Sequence, residues 1–164
     1  MKNIIFILIF ITLYFTTYCQ KYSVSELIKL QKNNGNFFEQ MALKKGFEYS
    51  YTNDDIDVSI ISYSHYNLKG KRKTNFINFY FWKINMHSVM YITSDRGEFV
   101  SLKTEVVKLG YKPYKTTTIN NEINTYYKKN QLYVCFNTST NVDENKLENQ
   151  LFSIDVSPAI LIDK

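Results

Sequence analysis

The chain has 164 residues, with 20 basic against 15 acidic side chains and a formal charge of +5. That mild excess is not the footprint of a nucleic-acid binder. Two cysteines and two histidines leave a thiol or acid–base enzyme little to work with. There is also no zinc spacing, phosphate-binding glycine loop or Gly-x-Ser-x-Gly elbow.

Lys2 precedes an apolar run from Ile4 to Phe15, which closes with Thr16-Thr17-Tyr18-Cys19-Gln20. The run is shorter than the roughly 20 residues a membrane span needs. A positive start, a short apolar centre and a small-residue exit predict a signal peptide over residues 1–19, cleaved after Cys19 and giving a secreted or periplasmic protein. The alternative makes Cys19 a lipid-modified anchor, the one route to a membrane; Tyr18, where a lipoprotein signal takes a small residue, weighs against it. Cleavage removes one lysine and no acid, leaving 19 bases against 15 acids, or +4. Residues 20–164 then suit one domain, with Cys135 as the sole thiol and no internal disulfide. Packing must hold it, and 12 Phe and 14 Tyr supply the apolar area.

In chain order, Ser23-Val24-Ser25-Glu26 is a capping-box pattern that opens a helix running to about Lys32. Asn33-Asn34-Gly35 breaks it, and Asn36 with Glu39 three residues later is expected to cap a second helix ending at Gly46. The period then changes to two. Phe47, Tyr49 and Tyr51 are expected on one side of a first strand. Ile56, Val58 and Ile60 belong to a second that continues toward Tyr66. Asn67 to Lys73 reads as a basic hairpin tip. Phe76–Trp82 is apolar on both faces except at Asn78 and reads as a central strand, and Val89–Thr93 as the strand pairing back on it. Asp95 with Glu98 caps a third helix whose stripe is Phe99, Leu102, Val106 and Leu109, stopped by Gly110. Strands follow over Tyr111–Thr118, Glu122–Lys128 and Leu132–Phe136. Asn137 to Gln150 is expected as a polar loop with one helical turn near Glu144–Leu147, and Leu151–Val156 as the last strand.

Met41 to Tyr51 and Val106 to Lys115 share one plan: a basic, apolar last helical turn, a glycine stop, then aromatics. Gly46 and Gly110 lie 64 positions apart. An internal duplication is therefore expected, with copies over about 36–94 and 95–164. The fold class implied is α+β: two helix-plus-antiparallel-strand repeats packed as one domain, with helices on one face of one sheet or two.

The export signal, the Ser25-Glu26-Leu27 helix, Lys44-Lys45-Gly46-Phe47-Glu48-Tyr49 and Lys108-Leu109-Gly110-Tyr111 together resemble secreted proteins of unknown function common in Bacteroidota. The tandem plan and length are also similar in outline to the β-lactamase inhibitory proteins, which grip an enzyme with a concave sheet. The first resemblance implies fold and export, the second a protein-binding sheet.

No catalytic, metal or cofactor site is expected. Cys135 alternates with core residues and reads as a buried, inert thiol. Asp54, Asp55 and Asp57 lack the glycine and distant acid of a calcium loop and read as a solvated turn. Lys69, Lys71, Arg72 and Lys73 form a basic patch at the hairpin tip. Phe76, Tyr80 and Trp82 share one face of their strand and are the candidate ligand-binding residues, with Tyr63, Tyr126 and Tyr133 as possible neighbours. That face either stands open to a protein, peptide or glycan, or packs under a second sheet or the first helix. The expected function is a non-enzymatic exported binding domain. The alternatives are an inhibitor or immunity-type protein that blocks an enzyme, and a hydrolase with a cleft of converging polar side chains.

Overall fold

A computed structural model describes residues 21–66, 73–120, 122–142 and 148–162. The expected signal segment, most of the basic hairpin tip and the expected helical turn near Glu144–Leu147 lie outside the described residues. The elements run α1 (Val24–Gln31), α2 (Gly35–Lys44), β1 (Glu48–Asp54), β2 (Val58–Tyr66), β3 (Lys73–Trp82), β4 (Met86–Thr93), α3 (Arg96–Lys108), β5 (Lys112–Ile119), β6 (Glu122–Lys129), β7 (Leu132–Val142) and β8 (Glu148–Pro158). A short 3-10 turn, Ala159–Leu161, follows. The fold is α+β: the described residues form three α-helices and one eight-stranded antiparallel sheet in the order β1-β2-β3-β4-β8-β7-β6-β5.

Each helix starts where a side chain satisfies its free amides. Ser23 and Glu26 form a complete capping box on α1. The Glu105 carboxylate of α3 also accepts from the amides of Val24, at 3.0 Å, and Ser25, at 3.2 Å. The cap of α2 is Asn34, which accepts from Phe37, not the expected Asn36; Gly35 already belongs to the helix. Asp95 caps α3 by accepting from the Glu98 amide.

Two of the helices end alike. Gly46 has φ +79 and Gly110 φ +82. Around the first, Gly46 N–H donates to Leu43 and Phe47 N–H to Ala42; around the second, Gly110 donates to Val107 and Tyr111 to Val106. This pair of bonds closes a helix through a left-handed residue, and the residue after the glycine packs back on the last turn. The following ladders also agree. Glu48 pairs with Ser64 and, past a bulge, Tyr51 with Ser62. Lys112 pairs with Lys128 and, past a bulge, Lys115 with Tyr126.

The bulge corrects one expectation. Tyr49 lies opposite Tyr63 but Tyr51 lies opposite Ser62, so the extra residue turns Tyr51 to the other face from Tyr49. Ile56 is left in the turn before β2, 76% exposed. The expected polar loop after Phe136 is mostly strand. β7 runs to Val142 and β8 starts at Glu148, paired residue by residue from Asn137↔Ser153 to Val142↔Glu148. Polarity misled there because the face those residues share carries polar groups elsewhere too.

All three helices pack on one side of the sheet. α1 lies over β4 and β8, α3 over the same two strands, and α2 over β3. The core between them takes Tyr63, Ile77, Phe79, Val89, Tyr91, Tyr127, Val134, Phe136, Phe152, Ile154 and Val156 from the strands. The helices supply Val24, Leu27, Leu30, Phe38, Ala42, Phe99, Leu102 and Val106. The N-terminus of α3 is tied to β4 by a buried carboxylate: Tyr91 Oη and Thr93 Oγ1 each donate to Glu98 at 2.9 Å.

The two glycine caps make a paired prediction. A Cβ at Gly46 meets nothing within 4 Å, and one at Gly110 meets only Lys129 Nζ at 3.6 Å. The cost of alanine is therefore the left-handed backbone alone, about 1–2 kcal/mol at each site. Urea unfolding of Gly46→Ala and Gly110→Ala is expected to give nearly equal losses. A loss at one site only would show that the caps are not equivalent in energy.

Candidate functional site

With the helices on one side, the alternate side chains of all eight strands form a second face that no helix of the described residues covers. Register lays it out in rows. The central row reads Tyr51, Ser62, Asn78, Met90, Asp155, Cys135, Tyr126 and Lys115, each paired with the next across the sheet. To one side lie Ile60, Tyr80, Ser88, Ser157, Tyr133 and Lys128; to the other lie Ser64, Phe76, Ile92, Ser153, Asn137 and Asn124. Polar side chains on this face are buried without a helix above them: Ser62 is 1% exposed and Asn78 7%. Among the described residues Ser62 Oγ and Asn78 Oδ1 have no hydrogen-bond partner, which is costly unless something supplies one.

The three aromatics singled out in the sequence all stand on this face, half-buried. Tyr80 and Trp82 have their polar tips engaged: Asn78 Nδ2 donates to Tyr80 Oη at 3.3 Å, Tyr80 Oη lies 3.6 Å from Met90 Sδ, and Trp82 Nε1 donates to Ser88 Oγ at 3.3 Å. Tyr126 and Tyr133 join this face, where Lys128 sits 4.7 Å over the Tyr133 ring and Lys115 4.9 Å over Tyr126. Tyr63 does not: it faces the helices and packs on Phe38, ring centroids 5.7 Å apart.

A pocket of about 420 Å³ opens on the second half of the face. Met90, Ile92 and Leu151 give it apolar wall; Asp155, Cys135, Asn124, Asn137, Ser139 and Ser153 bring polar atoms, with Glu122 and Tyr126 at its sides. The chain beyond β8 brings Ile162 to its edge. Asp155 is partly exposed, and burial pushes its carboxyl up to about 6, against a lowering hydrogen bond donated by the Ser157 hydroxyl. Of these residues the sequence singled out only Cys135, as a buried thiol, and Tyr126, as a neighbour of the aromatic face; the others it did not mark. Their signal was a single polar residue at alternate positions of otherwise apolar strands, as Asn78 is in β3 and Asp155 in β8.

The chemistry of the cleft is limited. Cys135 Sγ lies 3.8 Å from Asn124 Oδ1. Burial, then the Asp155 charge, pushes its thiol up to about 12, far from a nucleophilic thiolate at neutral pH. Both imidazoles are on the other side of the sheet, His65 against Phe47 and His87 against Phe79 and Phe81. Glu122 lies two strands across and four residues along from Asp155. At ~4.8 Å per strand and ~3.4 Å per residue their Cα atoms are roughly 16 Å apart. Paired carboxylates that cleave a glycosidic bond stand about 5–9.5 Å apart. Among the described residues no group of three His, Cys, Asp or Glu is placed to hold a metal ion. Asp55 instead accepts from the Ile56 amide within its own turn. Of the basic patch, only Lys73, the first residue of β3, is among the described residues.

No protein-family model matches this chain, and neither a curated protein nor a solved structure matches it.

The raised Asp155 carboxyl predicts a pH effect. A group whose folded pKa lies above its unfolded value favours the fold at pH below the unfolded value near 3.8, and that contribution is lost as pH rises through about 6. Asp155→Asn keeps an acceptor for Ser157 and removes the charge. It is expected to raise unfolding free energy at pH 8 by up to about 3 kcal/mol, a gain that fades toward pH 4. Urea curves at pH 4, 6 and 8 measure it; a pH-independent effect would remove Asp155 as the cause.

Proposed function

We propose that this chain is an exported, non-enzymatic binding domain built from two copies of one helix-plus-four-strand unit, and that the helix-free sheet face takes a partner polypeptide. The observation that carries the binding role is the pocket on a face no described helix covers, on the same row as Ser62 Oγ and Asn78 Oδ1, two buried polar atoms without a partner among the described residues. Groups of that kind are tolerated where a ligand completes them. A pocket lined by single hydroxyls, carboxamides and two carboxylates, Asp155 and Glu122, among Met90, Ile92 and Leu151 suits one inserted side chain, which favours a polypeptide over a glycan.

The two-copy reading is supported by the matching glycine caps and by the shared β1–β2 and β5–β6 registers, 64 residues apart. A size exchange supports it too. Gly35 sits where a Cβ would meet the Phe81 ring at 2.9 Å. The positions corresponding to Gly35 and Phe81 in the second copy are Phe99 and Thr138, so a small helix residue and a large strand residue in one copy correspond to a large helix residue and a smaller strand residue in the other.

A partner enzyme is the favoured special case. The tandem helix-plus-sheet plan resembles the β-lactamase inhibitory proteins in outline, and a protein-binding sheet is what that resemblance implies, the likeness being one of plan alone. Co-purification with a hydrolase would favour it.

The test is capture of a partner from the producing cell's envelope proteins. Tyr80→Ala and Trp82→Ala are each expected to weaken capture about tenfold while the protein stays folded, and Trp82 fluorescence is expected to shift on binding. Val100 and Val107, 54% and 55% exposed on α3, supply the control: Val100→Asp and Val107→Asp should leave capture unchanged. If the helix variants abolish capture and the sheet variants do not, the binding face is wrong.

A further inference from the structure

Sheet register lets the two halves of the helix-free face be compared position by position. Ser62 pairs with Asn78 and Asn78 with Met90; Tyr126 pairs with Cys135 and Cys135 with Asp155; Met90 and Asp155 pair with each other at the centre. A two-fold through that central pair carries Asn78 onto Cys135 and Met90 onto Asp155. By the same register it carries Tyr80 onto Asn137, Trp82 onto Ser139 and Ser88 onto Ser153.

In the first half this space is filled. Tyr80 lies with its hydroxyl between Asn78 and Met90, and Trp82 reaches Ser88. In the second half the receiving positions are still polar or become more so, as Cys135, Asp155 and Ser153. The rings of Tyr80 and Trp82 have no counterpart at Asn137 and Ser139, and the pocket stands there, with Tyr126, in the position of Ser62, as one of its walls. We propose that this pocket receives a tyrosine side chain of a partner polypeptide, its ring in the place Tyr80 holds in the other half and its hydroxyl donating to the Asp155 carboxylate.

The inference rests on the two-copy, open-face reading above. Asp155 takes one hydrogen bond from Ser157, and a carboxylate has room for more. A phenylalanine would fill the same volume and leave that acceptor unmet, which is the contrast on which such sites discriminate. Among the described residues neither Lys nor Arg lines the pocket, so the α-carboxylate of free tyrosine finds no counter-charge in that lining, whereas a residue within a chain needs none.

The test titrates the ¹⁵N-labelled protein with N-acetyl-tyrosinamide, N-acetyl-phenylalaninamide and free tyrosine. The tyrosinamide is expected to shift the amides of Asn137, Ser153 and Asp155 and to bind about tenfold more tightly than the phenylalaninamide, with free tyrosine weaker than the amide. Asn137→Tyr refills the space from within and is expected to abolish those shifts; should it fail to fold, Ser139→Trp adds a ring at the outer position and serves the same purpose. Asp155→Asn is expected to shrink the tyrosine–phenylalanine contrast. Equal affinity for the two amides, shifts confined to another surface, or full binding by a folded ring-adding variant would each overturn the proposal. These probes need no natural partner. Failure here leaves capture through Tyr80 and Trp82 to be judged separately, and failed capture leaves the probe result readable.

Discussion

Five residue pairs, from Val89↔Val156 to Thr93↔Phe152, join the two four-stranded halves of the sheet, and the rest of the structure depends on their register. Along this seam Val89, Tyr91, Ile154 and Val156 point to the helices and are fully buried. Met90 and Asp155 therefore point the other way. Strand side chains alternate with a period of two, so a slip of one residue would drive the Asp155 carboxyl into the oily layer under α1 and expose Tyr91. The helix side reinforces the choice. Tyr91 can donate to Glu98, accept from Asn75 at 2.6 Å and pack its ring on Tyr22 only in the observed register. One set of contacts fixes the core and decides which groups are left facing out.

That division explains what the sequence made legible. Helix starts and stops are local events: Ser23 with Glu26, Asp95 with Glu98, and glycines at left-handed positions are written in adjacent residues, and they are where sequence reading came closest. Strand faces are not local. The bulge that separates Tyr49 from Tyr51 has no signature in the aromatic spacing, so two tyrosines of one strand were assigned to one side. Asn137–Val142 reads as loop because a strand needs an apolar run only if one of its faces is buried by helices along its whole length. The proposed repeat is hard to read in the sequence for a related reason. Six residues, 67–72, connect β2 to β3, whereas Asn130 and Gln131 alone connect β6 to β7, and the 64-residue spacing is lost beyond that hairpin. The pocket lies past the point where the spacing changes, so a comparison by sequence offset never sets Tyr80 beside Asn137.

The helix-free face also carries a stability cost. A half-buried carboxylate whose ionisation opposes folding, and hydroxyl and carboxamide atoms without partners, are features a sheet evolved for stability alone would lose. They are set within a frame that tolerates them, because the aromatic layer on the opposite side is dense and its buried carboxylate, Glu98, is hydrogen-bonded by Tyr91 and Thr93. The thiol of Cys135 belongs to the same face and contributes no reactivity, held protonated by its surroundings.

The start of the fold is pinned at Lys21. Lys45, itself nearly buried, donates from Nζ to the Lys21 carbonyl at 2.7 Å and pairs with Glu26 at 2.9 Å, while Lys21 Nζ reaches Asp95 at 2.9 Å. Only two peptide steps, ~7 Å of fully extended chain, separate that clamp from Cys19. A lipid carried on Cys19 would thus have no tether: the body would ride flush on the bilayer, its orientation dictated by where residue 21 enters the fold.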